Sequence, residues 1–127
     1  MGNKGEGLSE RFLNYAVRIV LFVERLEKSF VGRHIGGQLF RAGTSAGSNC
    51  EEACGAESRP DFVHKLGVVL KELREARFWL RLIQGSKLLP ENDPGLLDIL
   101  QETEELAKIT AKSIITARQN KNKQRAS

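Results

Sequence analysis

The sequence predicts an all-α chain folded as an antiparallel up-down-up-down four-helix bundle. Three observations carry that prediction. Apolar residues recur at alternating steps of three and four along four separate segments, short runs of Gly, Pro, Ser and Asp join the segments, and no stretch alternates in the manner of a strand. At 127 residues, with 40% hydrophobic and 28% charged, the chain suits one globular domain with its own core. No apolar run approaches the roughly 20 residues of a membrane span. MGNKGEG has no apolar signal core, and Glu6 breaks a myristoylation match. The expectation is a cytoplasmic protein with no membrane partner, divided into a disordered N-terminus (1–7), a bundle (8–119) and a basic tail (120–127).

The first helix is expected over residues 8–29, where Leu8, Phe12, Tyr15, Ile19, Phe22 and Leu26 form one apolar stripe. Phe30, Val31 and Gly32 are read as a turn. The second helix, residues 33–55, continues the rhythm through Ile35, Leu39, Ala42, Ala46, Cys50 and Ala53, mostly with small side chains. Gly36, Gly37, Gly43 and Gly47 each cost about 1 kcal/mol against Ala in an exposed helix. Close packing offsets that cost, and the third helix is the expected neighbour. Ser58 caps that third helix, with Pro60 and Asp61 in its first turn. It runs to about residue 84 through Phe62, Leu66, Val69, Leu73, Ala76, Leu80 and Ile83. GSKLLPENDPG breaks it. Asp93 then caps a fourth helix, with Pro94 at its first position, running to about residue 119. Its stripe (Leu96, Leu100, Thr103, Ala107, Thr110, Ile114, Ala117) is the weakest, with threonines at seam positions.

Arg41, Ser45, Asn49 and Glu52, spaced four, four and three apart, place a polar stripe beside the small apolar face of the second helix. In an antiparallel hairpin turning near Ser58, Arg41 is level with Glu75 and one turn from Glu72, while Glu52 meets His64 or Lys65. A guanidinium between carboxylates makes charge-assisted hydrogen bonds and fixes register. The catalytic alternative, with Glu52, Glu72, Glu75 and His64 converging as acids, bases or metal ligands, lacks the Glu-x-x-His pairs of di-metal bundles and any nucleophile–His–acid order. The reading is a structural network, with no enzyme activity, catalytic residue, metal or cofactor expected. Cys50 and Cys54, one turn apart, read as small buried hydrophobes. A metal half-site completed by His34 and His64 is the alternative.

Arg118, Lys121, Lys123 and Arg125 account for the whole formal charge of +4. Arg11, Arg18 and Arg25 recur every seven residues in the first helix, and Arg74, Arg77 and Arg81 nearly repeat this in the third. All ten are candidates for phosphate contacts, against the plainer reading of a solvated tail and balanced charged faces. No aromatic is read as interleaving with these arginines, so binding is expected to ignore base identity and to weaken with salt. Of Phe78 and Trp79, one can enter the core while the other looks outward. An outward ring suits a subunit contact, and a ring at the bundle edge is the alternative.

The segment RAGTSAGSNCEEACGAESRPDFVHKLGVVLKELREARFWLRLI resembles the signature region of the four-helix bundle proteins encoded within bacterial 23S rRNA intervening sequences. The matching positions are Arg41, Ala42, Ser45, Asn49, Glu52, Asp61, Phe62, Glu72, Glu75 and Trp79. The fold is also similar to the accessory variability determinant of diversity-generating retroelements. That likeness implies a homopentamer, nucleic-acid binding and a possible reverse transcriptase partner. The expected function is a non-enzymatic oligomer that binds RNA or DNA through phosphates. The alternative is a protein-interaction adaptor, for instance for a reverse transcriptase, with no nucleic-acid affinity of its own.

Overall fold

The computed structural model describes residues 4–126, with side chains described for 7–120. Four helices follow in order: α1 (Lys4–Val23), α2 (Phe30–Cys54), α3 (Arg59–Ser86) and α4 (Pro94–Ala126). The described residues contain no strand.

Helix α1 buries Phe12, Tyr15, Ile19 and Phe22 along one stripe, and its helical backbone begins at Lys4. Residues 4–7 are therefore helical, where an irregular segment was expected, and residues 1–3 lie outside the described ones. The helix also ends earlier than residue 29. The amides of Arg25 and Leu26 donate to Phe22 and Val23 at 3.0 Å, an i→i+3 pattern that tightens and closes the last turn. Leu26 still reaches the core from this turn.

The turn thus occupies residues 24–29, and Phe30, Val31 and Gly32 open α2 instead of preceding it. The physical reason is Ser29, whose extended backbone and Oγ, accepting from the Gly32 amide at 3.0 Å, form an N-cap. Gly32 belongs to the helix, yet a Cβ there would collide with the Glu27 carbonyl. Ser58 caps α3 in the same way, accepting from the Asp61 amide at 3.2 Å. Helix α3 closes on Lys87 in the left-handed region (φ 62°), with Leu88 N–H donating to the Ile83 carbonyl at 3.2 Å. Asp93 caps α4 through the Leu96 amide at 3.0 Å. Helix α4 continues through residues 120–126, expected as a tail, to Ala126.

Each helix packs on its sequence neighbours, α4 returns to α1, and the diagonal pairs do not adjoin. Cross-contacts give the directions. Along α1 and α2, Ser9 meets Glu51, Ile19 lies against Gly43, and Val23 against Gly36. Along α2 and α3, Arg41 meets Glu72 and Lys65 meets Glu52. Along α1 and α4, Arg11 meets Glu102 and, beyond the end of α1, Arg25 meets Asp93. One partner's numbers rise as the other's fall, so adjacent helices are antiparallel.

Gly36, Gly43 and Gly47 of α2 face α1 and not α3. A Cβ at Gly43 would lie 2.8 Å from Ile19 Cγ1, one at Gly36 3.3 Å from Val23 and Leu26, and one at Gly47 3.4 Å from the Phe12 carbonyl oxygen. Leu39, Ala42, Ala46 and Cys50 of α2 share one buried cluster with Val69, Leu73, Ala76 and Leu80 of α3, and Ala53 shares a second with Leu66. The α4 threonines fit the core because their hydroxyls are satisfied. Thr110 donates to the Leu106 carbonyl at 2.7 Å, while Thr103 donates to Ile99 at 2.6 Å and lies 2.7 Å from the Tyr15 hydroxyl. Burial pushes the Tyr15 phenol up to about 12 despite that hydrogen bond. Cys50 is buried and its thiol rises to about 12 for the same chief reason. Cys54 is exposed, contrary to expectation, and no disulfide joins the two.

Candidate nucleic-acid interface

The polar stripe of α2 resolves into separate groups. Arg41 spans two carboxylates of α3, donating to Glu72 at 3.1 Å and pairing with Glu75. Glu72 is buried, whereas the guanidinium is about half exposed. Asn49 bonds within its own helix, to the Ser45 carbonyl at 2.9 Å and the Ser45 hydroxyl at 3.3 Å. Glu52 accepts from Lys65 at 3.4 Å, about two turns from Glu72 along α3, so the carboxylates of the stripe do not converge on one point. His64 is exposed. Among the described residues, no three or more His, Cys, Asp or Glu gather where they could hold a metal.

The candidate arginines divide into two classes. Arg11 forks onto Glu102 (2.6 and 3.0 Å) and reaches Glu105 at 2.8 Å, closing the α1–α4 seam, and its pKa rises chiefly through the Glu102 hydrogen bond. Arg25, in the turn after α1, binds both Asp93 oxygens at 2.7 and 3.0 Å. Arg77 reaches Glu104 at 3.1 Å. The heptad ladder of α1 is therefore largely neutralised by the bundle itself. Arg18, Arg74, Arg81 and Arg118 form no ion pair among the described residues, and the last three are exposed. The side chains of Lys121, Lys123 and Arg125 lie outside the described residues.

Of two surface features, the first is not anticipated by the sequence reading, and the second, an outward ring from the Phe78–Trp79 pair, is. The outer side of α1 carries Leu13, Val17, Val20 and Leu21, with Leu21 63% exposed. The signal was present, since α1 is apolar nearly all round and the four residues follow helical spacing. Phe78 is 57% exposed on α3, four residues after Arg74 and three before Arg81. An aromatic thus does lie among these arginines, correcting the expectation that none would. Trp79, by contrast, is half-buried against the core. It meets Phe78 edge-on at 5.0 Å between centroids and His34 at 6.1 Å.

These features define a helical-bundle protein in which polar clusters within the seams hold the fold and the remaining cations face outward. The model of the 23S rRNA-intervening sequence protein family matches residues 9–112, and the chain belongs to that family. It is also similar to a crystal structure of a protein with unknown function from the S23 ribosomal protein family of Bacteroides thetaiotaomicron VPI-5482. That similarity is 33% in sequence with a TM-score of 0.75, covering 84% of this chain and 97% of that one. A search of curated proteins finds no match. No helix of the described residues is long and apolar enough to cross a membrane.

Proposed function

We propose that the protein is a non-enzymatic homo-oligomer that binds RNA or DNA through backbone phosphates without reading base identity. The observation that carries this reading is the set of exposed arginines left without an ion pair on α3 and α4. Arg74 and Arg81 project from α3 and Arg118 from the adjacent α4, with Lys108 and Lys112 also exposed on α4. Each neutralised phosphate releases condensed counterions. One bundle offers few such cations, and several copies multiply them.

The exposed strip of Leu13, Val17, Val20 and Leu21 supports self-association, because contiguous apolar surface of this kind marks contact sites. The number five rests on the likeness to the accessory variability determinant. The polar network of Arg41, Ser45, Asn49, Glu52, Glu72 and Glu75 acts as scaffolding in this reading. The second reading, an adaptor for another protein such as a reverse transcriptase, draws on the same apolar strip, which accepts a foreign helix as readily as a second copy.

Gel shifts at low and moderate salt test the first reading, alongside mass by light scattering. A shift at low salt that fades at moderate salt, from a species several times the chain mass, supports it. Equal, negligible shifts in both favour the adaptor.

A further inference from the structure

We propose that the outer face of α3 binds unpaired nucleotides, with one base stacked on Phe78 and the flanking phosphates on Arg74 and Arg81. The inference rests on the nucleic-acid reading above and narrows it to single strands and to one surface.

Residues three and four apart share a helix face, so Arg74, Phe78 and Arg81 stand in one row. At 1.5 Å rise per residue the two arginines are roughly 10 Å apart along the axis, with the ring between them. All three are exposed, as is Lys71, one further turn along the same outer face. The acids of this stretch do not cancel the row, because Glu72 and Glu75 turn toward α2 and pair with Arg41. Arg77 adds a cation at the α4 border, partly offset by Glu104.

Phe78 meets the half-buried Trp79 edge-on, at 5.0 Å between ring centroids. A ring fixed edge-on against a neighbour keeps one face available for stacking. The other exposed aromatics lack this setting. Phe40 adjoins Arg41, whose charge is bound to the carboxylates of Glu72 and Glu75. Phe30 opens α2 with Arg33 one turn on, but no second cation flanks it on the helix, and Glu27 and Lys28 before it carry opposing charges. An aromatic face between cations is the arrangement that binds single strands with little regard to sequence, since every base has a π-face while a duplex hides its own.

The test is fluorescence anisotropy of the full chain with labelled 15-nucleotide oligo-rU, oligo-dT and a 15-base-pair duplex at one fixed low salt. The single strands are expected to bind about tenfold tighter than the duplex. Phe78→Ala and Phe78→Leu are expected to weaken single-strand binding by about 5- to 100-fold, leaving the duplex unchanged, while Phe78→Tyr retains affinity. Binding of either single strand that exceeds duplex binding and that Phe78→Leu weakens supports the proposal, and the tighter of the two names the polymer. Phe78→Leu matching the wild type, or duplex binding equal to single-strand binding with Phe78→Ala neutral, overturns the stacking site and leaves phosphate binding standing. A fall in light-scattering mass for Phe78→Ala that Phe78→Leu restores assigns the ring to a subunit contact and likewise overturns it. No binding of any probe overturns both this proposal and the reading beneath it.

Discussion

Arg25 and Asp93 join the two connections at one end of the bundle. The guanidinium grips both carboxylate oxygens from the α1–α2 turn, while the same carboxylate caps α4 through the Leu96 amide. The Arg25 hydrogen bonds, then that amide, hold the Asp93 carboxyl down at about 2, against an ordinary value of 3.8. A depressed carboxylate stabilises the fold at pH values above its unfolded value and stops doing so as pH falls through the folded one. Asp93→Asn should therefore lower the melting temperature at pH 7 and narrow the difference between pH 4 and pH 2. Circular dichroism melts at these pH values check it. An unchanged difference would mean the clasp does not form.

Helix α2 makes opposite predictions for two of its glycines, one in the α1 seam and one outside it. Gly43→Ala drives a methyl to 2.8 Å from Ile19 Cγ1 and should cost about 1–3 kcal/mol through overpacking, partly relieved by Ile19→Val. Gly37→Ala points into open space and should stabilise by about 0.5–1 kcal/mol. Urea unfolding of the three variants measures both.

Removing Arg41 leaves Glu72 buried without its cation. Arg41→Met should cost about 1–2 kcal/mol, toward the low side for a buried pair because the guanidinium is half exposed. The double variant Arg41→Met/Glu72→Met should recover most of the loss. A double variant as unstable as the single one would contradict the network's role as paired scaffolding.

Tyr15→Phe removes the hydrogen bond to Thr103 in the core. Thr103 keeps its bond to the Ile99 carbonyl, so the expected loss is only about 1 kcal/mol, read by the same urea titration.

The four helices were legible because each has its own apolar period, and the caps Ser58 and Asp93 were legible because both precede a proline-bearing first turn. Ser29 was hidden because Gly32, three residues on, resembles turn chemistry. It is a helical glycine made obligatory by the Glu27 carbonyl. The partner of the glycine face was also hidden, since spacing fixes which residues share a face but not which neighbour meets it. In the same way, the arginine heptads gave alignment without charge balance. Only the placement of Glu102, Glu105 and Asp93 separates the arginines that bind the bundle together from those left facing outward.

That separation is tested most directly by the salt dependence of nucleic-acid affinity. For the wild type, the logarithm of affinity should fall linearly with the logarithm of salt concentration. Arg74→Gln/Arg81→Gln/Arg118→Gln should flatten the slope by about 0.7–0.9 for each phosphate no longer neutralised, while Arg11→Gln should leave it unchanged and lower only stability. A slope that ignores the triple variant, or one that Arg11→Gln alone reduces, would contradict the account.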